Sequence, residues 1–134
     1  MRLSFKALDD FMRDNATMQV ARKHLYMGPL MVYVRLTTRR MGSVVGRTLD
    51  LADISVDSNH QRQGIFRQFL DHAERIAGRQ GVSLYVESIV NPELANALQR
   101  RGYEFPEASV DRAWMSADRL KQKHTPTDET TLAP

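Results

Sequence analysis

The chain has 134 residues, contains no cysteine, and carries 19 basic against 16 acidic side chains, for a formal net charge of +3. This length suits one small domain with a buried core, and the missing cysteines exclude disulfides, thiolate metal sites and a cysteine nucleophile. No apolar run reaches about 18 residues, the length that a membrane-spanning helix needs. We therefore expect a cytoplasmic protein without membrane contact. The positive charge is too small to indicate nucleic-acid binding by itself.

The first 27 residues carry a helical pattern. Their apolar side chains recur at three- and four-residue spacing and predict a helix, with Ser4 as a candidate N-cap. The Gly28-Pro29 pair ends this segment. Residues 30–38 are rich in β-branched and aromatic side chains and predict a strand, residues 39–42 predict a turn, and residues 43–47 begin another strand. The two strands are expected to form an antiparallel pair.

The strand predicted over residues 49–57 changes its apolar face partway along. Leu49 and Leu51 share one face, whereas strict alternation would place Ile54 and Val56 on the opposite face. One extra residue near positions 52–53 would restore a single apolar face, which is the pattern of a β-bulge. A strand buried on both faces would also explain the pattern and needs no bulge.

A polar loop and an amphipathic helix follow this strand. The helix is predicted from Ile65 to about residue 80, with an apolar stripe on one side, polar residues including Glu74 on the solvent side, and Gly81 at its end. The first N–H groups of a helix lack intrahelical partners and attract anions such as a diphosphate. Gly64 would let such an anion approach the backbone closely.

The rest of the chain predicts a strand over residues 82–90, a helix over residues 92–101 and a last strand over residues 112–117. Asn91 is a good N-cap, Pro92 suits the first helical position, and Gly102 ends the helix. Residues 120–134 are polar without periodicity and predict a flexible tail, so the single domain is expected to span residues 1–119.

Residues 61–66, Gln-Arg-Gln-Gly-Ile-Phe, resemble a motif of the GNAT superfamily of acyl-CoA-dependent N-acyltransferases. That motif reads Gln or Arg, two residues, Gly, one residue, then Gly or Ala, and it follows a strand that ends in an aliphatic-x-Val pattern. Ile54-Ser55-Val56 supplies this ending, and Asn91 and Gly102-Tyr103 also stand in the family order. Phe66 departs from the motif, although it belongs to the apolar stripe of the helix.

The resemblance implies the fold class α/β (α+β), with a mixed, mostly antiparallel sheet flanked by helices and an acyl-CoA site at a splayed motif strand. It also implies acetyl-CoA as the acyl donor and no metal. The residues implied to bind this donor are Ile54, Ser55 and Val56 for the pantetheine arm, then Gln61, Arg62, Gln63, Gly64, Ile65, Phe66 and Arg67 for the pyrophosphate, together with Asn91.

The implied reaction transfers an acetyl group to an amine by direct attack. An amine must lose its proton before it attacks, so a carboxylate base is expected. Asp50, on the motif strand, is the first candidate for this base, Asp53 is the second, and Glu87 on the neighbouring strand is the third.

The acid that protonates the departing thiolate is less evident. Many members of the superfamily have a tyrosine four residues before the glycine, where this chain has Leu98. Tyr103, Tyr85 or solvent would have to replace it. Leu98 and Phe66 therefore support an alternative function, a non-catalytic GNAT-like protein that docks to a partner protein.

For an active enzyme, the acceptor would be a protein lysine, a protein N-terminus or a small amine, and the short chain favours an exposed protein amine. A homodimer is compatible with the resemblance, and nucleic-acid binding is not expected, because no aromatic residues interleave with the arginine pairs along the chain.

Overall fold

The computed structural model describes residues 3–61, 63–89, 91–107 and 109–125. The helices and strands follow in the order α1 (Lys6–Asp14), β1 (Ala21–Met27), β2 (Leu30–Met41), β3 (Val44–Val56), α2 (Ile65–Gln80), β4 (Ser83–Val86), α3 (Pro92–Arg100), β5 (Ala113–Met115) and α4 (Ala117–His124). A 3₁₀ turn at Ser58–His60 leads from β3 towards α2. Within the described part of the chain, no helix has the length and apolar content needed to cross a membrane.

The five strands form one sheet in the order β1-β2-β3-β4-β5. β3 and β4 run parallel, because α2 carries the chain back between them, and the other neighbouring pairs are antiparallel. The predicted mixed, mostly antiparallel sheet is therefore confirmed. β2 and β3 meet in a two-residue hairpin turn at Gly42-Ser43, where Gly42 has a φ of 63° that favours glycine.

One face of the sheet packs against the helices. Alternate residues of β2 point into this core and are at most 1% exposed: Leu30, Val32, Val34 and Leu36. Each of the four helices adds buried side chains to the same core, for example Leu8, Phe69, Leu98 and Leu120. The rings of Phe5 and Phe69 lie 5.7 Å apart, which joins α1 to α2 on this side.

The other face carries polar and aromatic side chains and is partly open to solvent. We call it the open face and define it by His24, Tyr26, Tyr33, Arg35, Arg39, Asp50, Tyr85, Glu87 and Trp114. The strand register brings these residues together from all the strands of the sheet and from Glu87 just after β4.

The predicted β-bulge is confirmed in β3. Met31 pairs with Ser55 but Tyr33 pairs with Ala52, so two residues of β3, Asp53 and Ile54, oppose one residue of β2. Asp53 has a φ of 50°, in the left-handed region. The extra residue returns Ile54 and Val56 to the core side, where both pack. The alternative explanation, a strand buried on both faces, also holds for the first half of β3, because residues 49–52 are all buried.

The N-terminal segment differs from its prediction. The helix ends at Asp14, and residues 21–27 form the strand β1 instead of continuing the helix. β1 pairs with β2 along its whole length, and these ladder hydrogen bonds outweigh the weak helical pattern of the sequence. Phe5, not Ser4, occupies the N-cap position, although Ser4 Oγ accepts a 3.4 Å hydrogen bond from the Lys6 N–H at the start of α1.

Three other boundaries also differ. β2 continues through the predicted turn at residues 39–42 as far as Met41, because the hairpin turn lies one residue later than expected. β4 ends at Val86 instead of residue 90. The predicted tail is wrong for residues 120–124, since α4 extends to His124 and buries Leu120 completely. Residues 126–134 lie outside the described residues.

Candidate active site

β3 and β4 part beside the bulge. Their last shared hydrogen bond runs from the Glu87 N–H to the Leu51 carbonyl at 3.0 Å, and the described register pairs none of residues 52–56 with β4. β3 stays paired with β2 as far as Val56, opposite Leu30. The edge of β3 that faces β4 is therefore open over residues 52–56, and a chain of amides could lie along it.

The residues predicted to contact a pantetheine arm lie on this open edge. Ser55 is exposed, whereas the side chains of Ile54 and Val56 pack against the core, so these two residues offer backbone groups to a ligand. The Gln61 side-chain amide donates a 3.2 Å hydrogen bond to the Val56 carbonyl and ties the following loop to the end of β3.

The N-terminus of α2 faces the end of the same loop. Gly64 is its N-cap residue, with a left-handed φ of 73°, and no described side chain caps the helix. A Cβ at Gly64 would meet only the mobile guanidinium end of Arg67, at 3.2 Å. The first N–H groups of α2 therefore have the geometry and the dipole of an anion site.

The other predicted pyrophosphate residues surround this turn. Gln63 and Arg67 are exposed, and Arg67 adds positive charge. Ile65 is 2% exposed and can contribute only backbone groups to a ligand, whereas Phe66 is half-buried and packs against the core. The departure at Phe66 leaves the turn intact. Arg62 lies outside the described residues.

Asn91 is the N-cap of α3, as its sequence position predicts. Its side-chain oxygen accepts a 2.8 Å hydrogen bond from the Glu93 N–H. That oxygen is therefore engaged in the cap, and the side-chain amide NH₂ is the group that a ligand could use.

Two of the predicted catalytic carboxylates lie together on the open face, bridged by two arginines. Arg35 Nε and Arg39 Nε donate to Asp50 Oδ2 at 3.0 and 2.8 Å. The terminal nitrogens of the same two arginines donate to Glu87 Oε2 at 2.5 and 3.0 Å. Burial lowers the pKa of Arg35, but Asp50 and Glu87 outweigh this effect and raise it. The four side chains form what we call the arginine–carboxylate cluster.

Sequence reasoning missed Arg35 and Arg39. A two-residue hairpin turn at Gly42-Ser43 places Arg35 opposite Asp50 by register, so recognising that turn would have found one of them. The predicted turn at residues 39–42 instead took Arg39 out of the strand, and no local pattern links either arginine to Glu87.

The third predicted carboxylate, Asp53, stands apart from this cluster. It is exposed and occupies the bulge itself. Of the three candidates, Asp50 has a side chain that is only 1% exposed, and Glu87, at 24%, is partly open to solvent beside the parting strands.

The candidate acids occupy different environments. Leu98, at the position where many relatives have the acid, is fully buried. Tyr103 donates a 2.8 Å hydrogen bond to Glu74 in the interior. Burial, and then the negative charge of Glu74, raise the pKa of Tyr103 well above its ordinary value. Tyr85 lies on the open face, stacked against Trp114 with ring centroids 6.2 Å apart. Tyr103 therefore belongs to the core, and Tyr85 is the tyrosine nearer the parted strands.

The prediction that Glu74 lies on the solvent side of α2 is wrong, because its side chain is fully buried. Burial raises the pKa of its carboxyl, but hydrogen bonds outweigh burial and lower the pKa to about 2. The donors of these bonds are Arg101, His124, Tyr103 and Lys123. A helical stripe cannot reveal such a site, because the donors come from α4 and from the residues that follow α3.

Several solved structures resemble this chain in fold. A mutant AtaT toxin bound to the C-terminus of the antitoxin AtaR and acetyl-CoA matches with a TM-score of 0.59 at 14% identity. That match covers 72% of this chain but 64% of the AtaT chain, less than two thirds of its length. The KacTA–DNA complex matches with a TM-score of 0.60 at 16% identity over 88% of this chain and 84% of that chain. At these identities the likeness shows the fold.

A third structure, AtaT complexed with acetyl-methionyl-tRNAfMet, matches with a TM-score of 0.57 at 13% identity and covers 92% of this chain and 89% of that chain. No curated protein sequence matches the chain. A sequence model of the acetyltransferase (GNAT) family matches residues 8–103, which include the bulge, the loop before α2 and the N-cap of α3. The predicted fold and resemblance are thereby confirmed: the chain belongs to the GNAT family of acetyltransferases.

Proposed function

We propose that this protein is an acetyl-CoA-dependent N-acetyltransferase that acts on an amine. One observation carries the proposal: β3 leaves β4 at the bulge, and the loop after β3 leads to the N-terminus of α2, which no described side chain caps. An open strand edge can hydrogen-bond an arm that contains amides, and a helix N-terminus next to it can bind a diphosphate. Family membership supports this use of the two features.

The donor would lie along β3. Backbone groups of Ile54, Ser55 and Val56 are offered to its pantetheine arm, and the N–H groups of residues 61–67 to its pyrophosphate. Acetyl-CoA would supply the acetyl group as an activated thioester. Backbone N–H groups on the open edge would donate to the thioester carbonyl oxygen as negative charge develops there.

The acceptor would approach from the open face, because the helices fill the opposite side of the sheet. We place the proton transfer on Glu87. Its side chain is partly open to solvent, and its N–H forms the last hydrogen bond before the strands part. Asp50 is buried under two arginines, and Asp53 is the second candidate, since it is exposed at the bulge. A positioned base of this kind accelerates such reactions by about 10²- to 10⁴-fold.

Solvent would protonate the leaving sulfur. Leu98 fills the position where many relatives have tyrosine, and its side chain is fully buried. Tyr85 remains the protein group to test for this step, because it lies on the open face next to Asp50 in the strand register.

The acceptor is proposed to be an exposed amine on a macromolecule. The open face offers aromatic rings and guanidinium groups across several strands instead of an enclosed pocket. Protein lysines and protein N-termini are the first acceptors to test. The AtaT structure with acetyl-methionyl-tRNAfMet makes the α-amine of a charged tRNA a further one.

A docking protein is the second candidate function. The buried Leu98 removes the usual acid, and structures of AtaT with the antitoxin AtaR show that a protein of this fold can bind a partner chain. Such a protein would keep the fold without turnover.

The first test is calorimetric titration with acetyl-CoA and with CoA on the wild type, Gly64→Glu and the matched control Gly81→Glu. Both glycines have left-handed φ values, 73° and 71°, at the two ends of α2, and neither Cβ would meet backbone. The two variants therefore add the same charge at similar left-handed backbone positions, and only the Gly64 Cβ has a close neighbour, the Arg67 guanidinium at 3.2 Å. We expect binding to weaken at least about tenfold in Gly64→Glu alone, because only its carboxylate lies at the positive end of the helix.

Equal effects of the two variants, or no binding by the folded wild type, would refute the proposed donor site. Turnover is then measured as CoA release with a protein extract, with peptides bearing free N-termini and lysines, and with charged tRNA. Binding of acetyl-CoA without turnover on any of these acceptors would favour the docking protein.

A further inference from the structure

The arginine–carboxylate cluster is asymmetric. Asp50 is anchored: its Oδ2 accepts from both arginine Nε atoms, and its Oδ1 accepts from the Thr48 hydroxyl at 2.6 Å. Among the described residues, Arg35 and Arg39 both donate to the same oxygen of Glu87, Oε2. Its side chain is 24% exposed, against 1% for Asp50. One end of the cluster is therefore fixed in the sheet, and the other faces solvent.

Aromatic rings brace the two arginines. The guanidinium of Arg39 lies 4.6 Å from the centre of the Tyr85 ring, which stacks on Trp114. The guanidinium of Arg35 lies 5.9 Å from the centre of the Tyr33 ring. A planar guanidinium held on one side by a ring and at Nε by a buried carboxylate has little freedom left, so its outer nitrogens point in a defined direction.

We propose that Arg35 and Arg39 are positioning residues, with Asp50 as their anchor, and that they fix the orientation of the Glu87 carboxylate beside the parted strands. The inference rests on the proposed function, in which Glu87 accepts the proton of the amine. It reverses the order predicted from sequence: Asp50, the first candidate for the base, orients the base through the arginines instead of touching the acceptor.

The cluster makes an unusual prediction about charge. Arg35 and Arg39 on β2 contact the Glu87 carboxylate, and Asp50 on β3 and Tyr85 on β4 contact the same guanidiniums. On the β5 side, Arg112 lies next to Ala113, the residue that pairs with Val86. Removal of a guanidinium takes away a positive charge that favours the carboxylate, whereas removal of the Asp50 charge leaves the two guanidiniums less neutralised. The two kinds of variant should therefore move the protonation of Glu87 in opposite directions.

The experiment follows the side-chain carboxyl carbon of Glu87 by NMR as a function of pH, with the signal assigned by its loss in Glu87→Gln. Arg39→Gln should move the midpoint to higher pH, and Asp50→Asn should move it to lower pH. Arg39→Lys keeps the charge but cannot bridge both carboxylates, so its midpoint should move less than that of Arg39→Gln. Circular dichroism confirms that each variant is folded. If Asp50→Asn unfolds, Arg35→Gln replaces it as the second probe, and its midpoint is expected to move to higher pH.

The same variants are assayed for CoA release across the pH range. Three results together would support the inference. The NMR midpoint and the acidic limb of the kcat/KM profile should shift in parallel. Glu87→Gln should lose more than about tenfold in kcat while its affinity for acetyl-CoA stays unchanged. Opposite NMR shifts without any turnover would support the cluster and refute the proposed enzyme. An NMR midpoint that does not move in Arg39→Gln, or unchanged kcat in Glu87→Gln of an active enzyme, would overturn the inference alone.

Discussion

Replacement of Glu74 by glutamine tests how the helices are held together. Glu74 is fully buried on α2 and contacts residues from two later parts of the chain. Arg101 donates to both of its oxygens at 3.0 Å, the His124 ring lies at 2.7 Å, and the Lys123 ammonium at 3.0 Å. Glu74→Gln keeps the shape of the side chain but removes the charge that these donors surround. The variant therefore reports the contribution of the ion cluster and not of packing.

The size of the effect follows from the pKa. The pKa of Glu74 falls from an ordinary 4.5 to about 2 in the folded protein. Since one pKa unit corresponds to about 1.4 kcal/mol, ionised Glu74 contributes about 3 kcal/mol to the free energy of unfolding. The contribution is fully present above the unfolded-state pKa and is lost as the pH falls through the folded-state value. Between pH 5 and pH 3 it should decrease by about 2 kcal/mol.

Urea unfolding followed by circular dichroism at pH 5 and pH 3 measures both quantities. We expect the free energy of unfolding of Glu74→Gln to lie about 3 kcal/mol below that of the wild type at pH 5, and this difference to shrink by about 2 kcal/mol at pH 3. Asp71→Asn is the matched control: Asp71 accepts from the same Arg101, but its side chain is 39% exposed, and its loss should amount to less than about 1 kcal/mol. Equal losses of stability by wild type and Glu74→Gln between pH 5 and pH 3 would refute the reasoning.

Two further variants test single contacts. Asn91→Ala should lower the free energy of unfolding by about 1 kcal/mol through loss of the α3 cap, whereas Asn91→Ser keeps an oxygen for the cap. Equal stabilities of the two variants would contradict the cap. If Asn91 also contacts the donor, both variants will weaken acetyl-CoA binding in calorimetry. Gly78→Val should destabilise the protein by about 1 to 3 kcal/mol in urea unfolding, because a Cβ at Gly78 would already lie 3.2 Å from the backbone of Leu120 and Lys121. An unchanged midpoint of urea unfolding would show that α4 can move away from α2.

Local patterns were sufficient for the central part of the protein. The bulge in β3, the glycine-started helix α2 and the Asn91 cap of α3 depend on residues close together in the chain, and the structure confirms each of them. The strand–loop–helix order with its spaced glycine led to the family for the same reason. In these three places, neighbouring residues indicate which face the strand presents and where the helix begins.

The tertiary structure decided everything that depends on distant partners. Residues 21–27 carry no clear strand pattern and become β1 because β2 supplies a partner. Glu74 looks like a solvent-facing residue until Arg101 and α4 cover it. Arg35 meets Asp50 across 15 positions and Glu87 across 52, so only the register of the sheet brings the cluster together. Buried charge requires partners from several elements, and no local sequence pattern can show where those partners will lie.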